Sequence, residues 1–144
     1  VLMIGAGGAA RAIAFALGGR GARLQVANRT TARAAALGEP VEFTREAIER
    51  AAAECVLVVN ATSLGMGTDE VPAELPIDVL GPGQVAYDIV YRQEPTPWLR
   101  AAAARGARTV DGLGMLLHQG AAAFAQWTGT EPPVDAMRAG LTAR

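Results

Sequence analysis

Gly5, Gly7 and Gly8 fall in the opening run VLMIGAGGAARAIAFAL, between four apolar residues and an alanine-rich stretch. Apolar strand, glycine turn and helix, in that order, suit the pyrophosphate of a dinucleotide. Gly5 permits a turn that a side chain would obstruct, and Gly7 lets the backbone come close to an anion. Gly8 and Ala9 lead into the helix, whose free N–H groups and positive dipole end face the same anion. Ala10 stands where a GxGxxG pattern has its third glycine, and its small side chain preserves close helix–strand contact. A glycine turn in an unrelated α/β protein is the competing reading.

The next polar cluster is NRTTAR, after the apolar run ARLQVAN. A dinucleotide fold brings the adenosine ribose to this strand exit, where an NAD-selective domain often carries an acid. Here the chain offers Asn28, Arg29, Thr30 and Arg33 instead. A 2′-phosphate repels a carboxylate but accepts charge-assisted hydrogen bonds from guanidinium groups, so the substitution favours NADP. Arg29 is the primary expected ligand and Arg33 the secondary one. A solvated helix face is the alternative for both, and Thr30 doubles as a helix cap.

A third polar group, NATSLGM, closes the apolar run CVLVV. Asn60 and Thr62 offer hydrogen bonds beside a nicotinamide, Ser63 and Gly65 suit a turn, and Met66 can pack on a ring. Further on, Asp88 and Tyr91 sit near the exit of QVAYDIVY, and Gln119 is the polar interruption in an apolar helix. His118 has no nearby metal-ligand partners, and Cys55 lies in an apolar run where burial is expected. No metal site is suggested.

These groups need a scaffold of alternating strands and helices. The continuous apolar character of CVLVVNAT belongs inside a parallel sheet covered on both faces. The expected fold is α/β: a Rossmann-like, doubly wound, mostly parallel sheet with helices on both faces. Expected elements include a helix over 9–17, a short third strand over 41–43, and a helix over 45–53 capped by Thr44. A short helix can form over 77–80. A helix over PWLRAAAARG, 97–106, follows, capped by Thr96 with Pro97 in its first turn. In the helix beyond Gly112, Leu116, Phe124 and Trp127 are expected to line core-facing parts, and a last helix is expected within 132–144.

At 144 residues the chain can build one substantial core. Its 51% hydrophobic and 19% charged content fits a globular domain, and a net charge of −1 provides neither a nucleic-acid footprint nor a polybasic membrane patch. One cysteine excludes an internal disulfide. Without a signal peptide or membrane-length apolar run, a cytoplasmic location is the default. The chain opens inside its first strand, as expected of a domain taken from a longer protein.

Taken together, GAGGAARA at 5–12, NRTTAR at 28–33, NATSLGM at 60–66, DIVYRQEPTPWL at 88–99 and GLGMLLHQGAAAFAQWTG at 112–129 resemble the C-terminal, NADP-binding domain of the shikimate dehydrogenase family. That family reversibly reduces 3-dehydroshikimate to shikimate with NADPH, in aromatic amino-acid biosynthesis. The resemblance implies phosphate contact by Gly5, Ala6, Gly7, Gly8, Ala9 and Ala10, and 2′-phosphate contact by Asn28, Arg29, Thr30 and Arg33. It places Asn60, Ala61, Thr62, Ser63 and Met66, with Gly112 and Met115, beside the nicotinamide. Tyr91 and Gln119 fall on the substrate side. Gln93 departs from the proline common after the tyrosine.

In the family the catalytic lysine and aspartate come from a preceding substrate-binding domain. The resemblance leaves neither position within this sequence, so none of its aspartates inherits the role, the chain contains no lysine at all, and no catalytic residue is assigned. The expectation is an NADP-binding part, 1–144, that lacks turnover alone. It meets shikimate only with the missing upstream domain, the expected contact of the 130–144 helix. Alternatives are a quinate/shikimate dehydrogenase domain with altered preference and a non-catalytic dinucleotide-sensing domain.

Overall fold

The computed structural model describes residues 1–142. Strands and helices run in the order β1 (Leu2–Ile4), α1 (Gly8–Gly18), β2 (Gln25–Ala27), α2 (Thr31–Ala35), β3 (Glu39–Val41) and α3 (Arg45–Ala53). Next come β4 (Leu57–Asn60), β5 (Val85–Asp88), α4 (Pro97–Ala104), β6 (Arg108–Val110), α5 (Leu113–Thr128) and α6 (Val134–Thr142). The strands form one sheet in the order β3-β2-β1-β4-β5-β6, with every pairing parallel. The sheet is therefore wholly parallel rather than mostly so. Chain direction across the sheet reverses between β1 and β4, which opens a crevice beyond their carboxyl ends.

Strand periodicity divides the core into two layers. Leu2, Ile4, Val58 and Ala86 pack with Ile48 and Ala52 of α3 and with Trp98, Leu99 and Ala102 of α4. Met3, Val26 and Val59 point the other way, onto Ala10 and Ala14 of α1 and Ala34 of α2. This two-sided burial explains the unbroken apolar runs of β1 and β4. Buried alanines on α1 to α4 set a close helix–sheet approach. Trp98 is fully buried, and its indole Nε1 donates to the Pro76 carbonyl at 2.7 Å.

Two caps act as their sequences predict. Thr44 Oγ1 accepts from Ala47 N at 3.3 Å, and Thr96 Oγ1 accepts from Leu99 N at 3.3 Å, with Pro97 in the first turn. The helix over 45–53 has the expected limits.

Other expectations are corrected. The third strand is Glu39–Val41, not 41–43, because pairing sets Glu39 beside Gln25 and Val41 beside Ala27. Phe43 packs on the core from a non-strand position, and Pro40 is tolerated on an edge strand. Residues 77–80 form a turn closed by Leu80 N to the Ile77 carbonyl at 3.0 Å, since four residues beside Pro76 are too few to propagate a helix. On α5, Leu117 and Ala121 are the buried positions, whereas Leu116 and Phe124 are half-buried and Trp127 is 83% exposed. Helix α6 occupies Val134–Thr142, and the last two residues of the expected 132–144 helix lie outside the described residues. Among the described residues no helix is long and apolar enough to cross a membrane.

Candidate functional site

The glycine loop sits at the sheet's switch point. Gly5 has φ +108°, and its N–H donates to the Ala27 carbonyl at 2.8 Å. A Cβ there would lie 2.6 Å from the Ala61 carbonyl oxygen and 2.7 Å from Thr62 Cγ2. Only glycine lets the loop after β1 lie so close to the loop after β4. Around Gly7 and Gly8 the opposite holds: a Cβ on either would meet nothing within 4 Å. Gly7 is the N-cap of α1, and that helix has no acidic residue in its first turn. The amides of the first turn lack intrahelical acceptors and are left for an anion.

Between α1 and α2 lies an open groove of about 780 Å³, lined by Gly7, Gly8, Arg11, Phe15, Arg33 and Leu37 among others. Arg11, Arg29 and Arg33 make no side-chain hydrogen bond or ion pair among the described residues, whereas Arg45, Arg92 and Arg105 are paired with aspartate or glutamate. Arg33 lines the groove. Arg29 is exposed beside α2, just before its N-cap residue, and is not among the groove's lining residues. Asn28 Nδ2 donates to the Thr30 carbonyl at 3.0 Å and shapes the turn between them. Thr30 is the N-cap residue of α2 but makes no side-chain capping bond.

Arg11 escaped the sequence reading. Its position in GAGGAARA is plain, but that its helix face borders α2 depends on the packing of two helices. The one available signal was its four-residue spacing from Phe15, which puts both on one side of α1.

On the other flank, the ends of β4 and β5 carry a buried polar network. Asn60 and Asp88 are paired in the sheet, and both side chains are inaccessible. Asn60 Nδ2 donates to Asp88 Oδ1 and to the Leu64 carbonyl, each at 2.9 Å. Asn60 Oδ1 accepts from Thr62 Oγ1 at 2.6 Å and from Thr62 N at 3.2 Å. The Asn60 amide thus bonds both to its own loop and to β5. Thr62 Oγ1 in turn accepts from Leu64 N at 2.9 Å. Asp88 also receives Val90 N on Oδ1 at 3.0 Å and Thr96 Oγ1 on Oδ2 at 2.7 Å.

Burial pushes the Asp88 carboxyl above its ordinary value, against the opposing hydrogen bonds from Thr96, Val90 and Asn60. An acid raised in this way holds its proton more tightly folded than unfolded. Its stabilising contribution is full below the unfolded value of about 4 and is lost as pH rises through the folded value. Melting temperatures of wild type and Asp88→Asn, followed from about pH 3 to 7, should therefore diverge with wild type falling relative to the variant, then run at a constant gap. Curves parallel across the whole range would contradict this.

Of the remaining expected positions, Ala61, Ser63, Met66, Tyr91 and Gly112 lie at or next to the ends of β4 and β5. Ala61 is buried, and Ala61 N donates to the Ile4 carbonyl at 2.8 Å, which joins the loop to β1. Ser63 is exposed and its carbonyl accepts from Met66 N at 3.1 Å; Met66 itself is 61% exposed. Tyr91 is 49% exposed, and the adjacent Arg92 donates to the Thr68 carbonyl at 2.7 Å and Asp69 Oδ1 at 3.1 Å. A Cβ on Gly112 would overlap the Ile89 carbonyl, so glycine lets the start of α5 press on the exit of β5. Met115 is half-buried. Gln119 is exposed and lines a separate, smaller groove with Leu116, Gly120 and Met137, between α5 and α6.

Cys55 is buried with its Sγ 3.7 Å from Gln25 Oε1, and His118 is exposed. Among the described residues no group of three or more His, Cys, Asp or Glu could hold a metal ion.

The arrangement has known counterparts. The profile of the family described as "Shikimate 5'-dehydrogenase C-terminal domain" matches residues 112–141. The shikimate dehydrogenase (NADP(+)) of Methanocella arvoryzae is 43% identical, over 95% of this chain and 53% of the relative. Among solved structures, quinate dehydrogenase from Corynebacterium glutamicum in complex with NAD superposes with a TM-score of 0.82 at 38% identity, covering 95% of this chain and 52% of that one. Shikimate 5-dehydrogenase from Thermus thermophilus, in complex with NADP(H) and shikimate, gives a TM-score of 0.75 at 38% identity, covering 97% and 53%. The chain thus spans about half the length of the relatives it matches.

Proposed function

Because this chain is a C-terminal domain of the shikimate dehydrogenase family, we propose that it is the NADP-binding part of an enzyme that reversibly reduces 3-dehydroshikimate to shikimate. The observation that carries the reading is the pairing of an open Gly7–Gly8 turn with unpartnered guanidinium groups beside it. The turn and the first-turn amides of α1 suit the pyrophosphate, and Arg33, with Arg29 and Thr30 at the start of α2, suits a 2′-phosphate. Bound NADPH supplies hydride to the substrate carbonyl.

The residues of this chain hold and orient. Asn60 to Met66, Gly112 and Met115 form the wall on the nicotinamide side, and Tyr91 and Gln119 contribute the substrate side. Proton transfer and most substrate recognition fall to a preceding domain, which the helix within 130–144 contacts on this reading. On this reading residues 1–144 bind cofactor without turning over shikimate.

Parallel calorimetric titration with NADP and NAD tests it, with a circular dichroism spectrum confirming that the same sample is folded. Preferential NADP binding supports the reading; equal or absent binding by a folded sample sinks it. The NAD complex of the quinate dehydrogenase relative favours one second reading, a quinate/shikimate dehydrogenase domain that accepts NAD. Tighter binding of NAD would select it.

A further inference from the structure

We infer that Asp88 is a positioning residue for the nicotinamide wall, acting through Asn60 to fix the 60–66 loop rather than by touching a ligand. The inference rests on the NADP-binding reading above. Asp88 is inaccessible, so direct contact with cofactor or substrate is excluded by its burial. Its carboxylate accepts three hydrogen bonds, each from a different segment: Asn60 at the end of β4, Val90 after β5 and Thr96 at the start of α4. Asn60 then fixes the loop at two points, Thr62 and Leu64. Two sheet strands and one helix start therefore determine where the loop lies.

The hydrogen bonds of the network, unlike the packing of Ala61 and Thr62 on Gly5, keep to one half of the cofactor site. No hydrogen bond of this network reaches α1, β2 or α2, which carry the groups expected around the adenosine and its phosphates. Removing the carboxylate leaves Asn60, Val90 and Thr96 with donors that are buried and unmatched, a state such networks relieve by rearranging. The segment free to rearrange is the 60–66 loop, because Val90 and Thr96 are held by β5 and α4.

The test compares Asp88→Ala, Asp88→Asn and Thr62→Val with the wild-type chain in two measurements. One is affinity for adenosine 2′,5′-bisphosphate, which engages only the adenosine half. The other is the change in dihydronicotinamide fluorescence per bound NADPH, which reports the environment of the ring. Asp88→Ala is expected to keep bisphosphate affinity within about twofold while losing at least about half of the fluorescence change, and Asp88→Asn is expected to restore most of it by retaining one acceptor oxygen.

Equal loss in both measurements would make Asp88 a general stability residue and overturn the inference, as would an unaltered fluorescence change. If Asp88→Ala does not fold, Thr62→Val decides. That variant keeps the core and removes the two hydrogen bonds of Thr62 Oγ1, to Asn60 Oδ1 and from Leu64 N, and the same selective loss is expected. Failure of the folded wild-type chain to bind the bisphosphate would instead overturn the NADP-binding reading, and the inference with it.

Discussion

Replacing Gly5 with alanine is expected to cost about 3 kcal/mol or more of stability and to abolish cofactor binding. Two independent penalties combine. At φ +108° an L side chain is strained whatever the space around it, and this Cβ would lie 2.6 Å from the backbone oxygen of Ala61. The obstruction is main chain, so no rotamer change relieves it. Either the loop after β1 or the loop after β4 must move, and both belong to the switch-point crevice.

Urea unfolding measures the first part and NADP titration the second. Gly8→Ala is the matched control, because a Cβ there meets nothing within 4 Å and alanine suits a helix better than glycine. Stability of Gly8→Ala should therefore stay within about 1 kcal/mol of wild type. A Gly5→Ala protein as stable as that control would refute the close-approach argument.

The second large effect concerns selectivity. Simultaneous Arg29→Ala and Arg33→Ala substitution is expected to weaken NADP binding about 100-fold, equivalent to about 2.7 kcal/mol, while NAD binding changes by no more than about threefold. Neither guanidinium has a partner to lose among the described residues, and both are exposed, so the fold is unaffected. The single variants apportion the effect. Equal weakening of NADP and NAD would show that the pair acts on the pyrophosphate instead.

What could be read from the sequence was what depends on neighbours along the chain. The glycine turn, the β4 run, and Thr44 and Thr96 as caps each require only a few consecutive residues, and each stands as expected. The placement of Trp127 did not follow, because an alanine-rich helix offers several apolar stripes and only packing selects the Leu117–Ala121 one. Residues 77–80 misled because four apolar and polar residues between prolines suit a turn as well as a helix. Asn60 and Asp88 lie 28 residues apart and become neighbours only through the register of β4 on β5. A polar residue at a strand exit looks like a ligand contact in sequence. Whether its hydrogen bonds are already committed is a property of the folded sheet.

The buried alanines facing the sheet bear on how such a domain can diverge. Ala10, Ala14, Ala34, Ala52 and Ala102 leave no room for a larger side chain, and enlarging a tightly packed site costs roughly 1–3 kcal/mol. Accepted change is thereby steered away from the helix–sheet seams and toward the carboxyl edge, where Arg29, Arg33, Met66 and Tyr91 are exposed. Substitution at those edge positions therefore costs less stability than substitution at the seams.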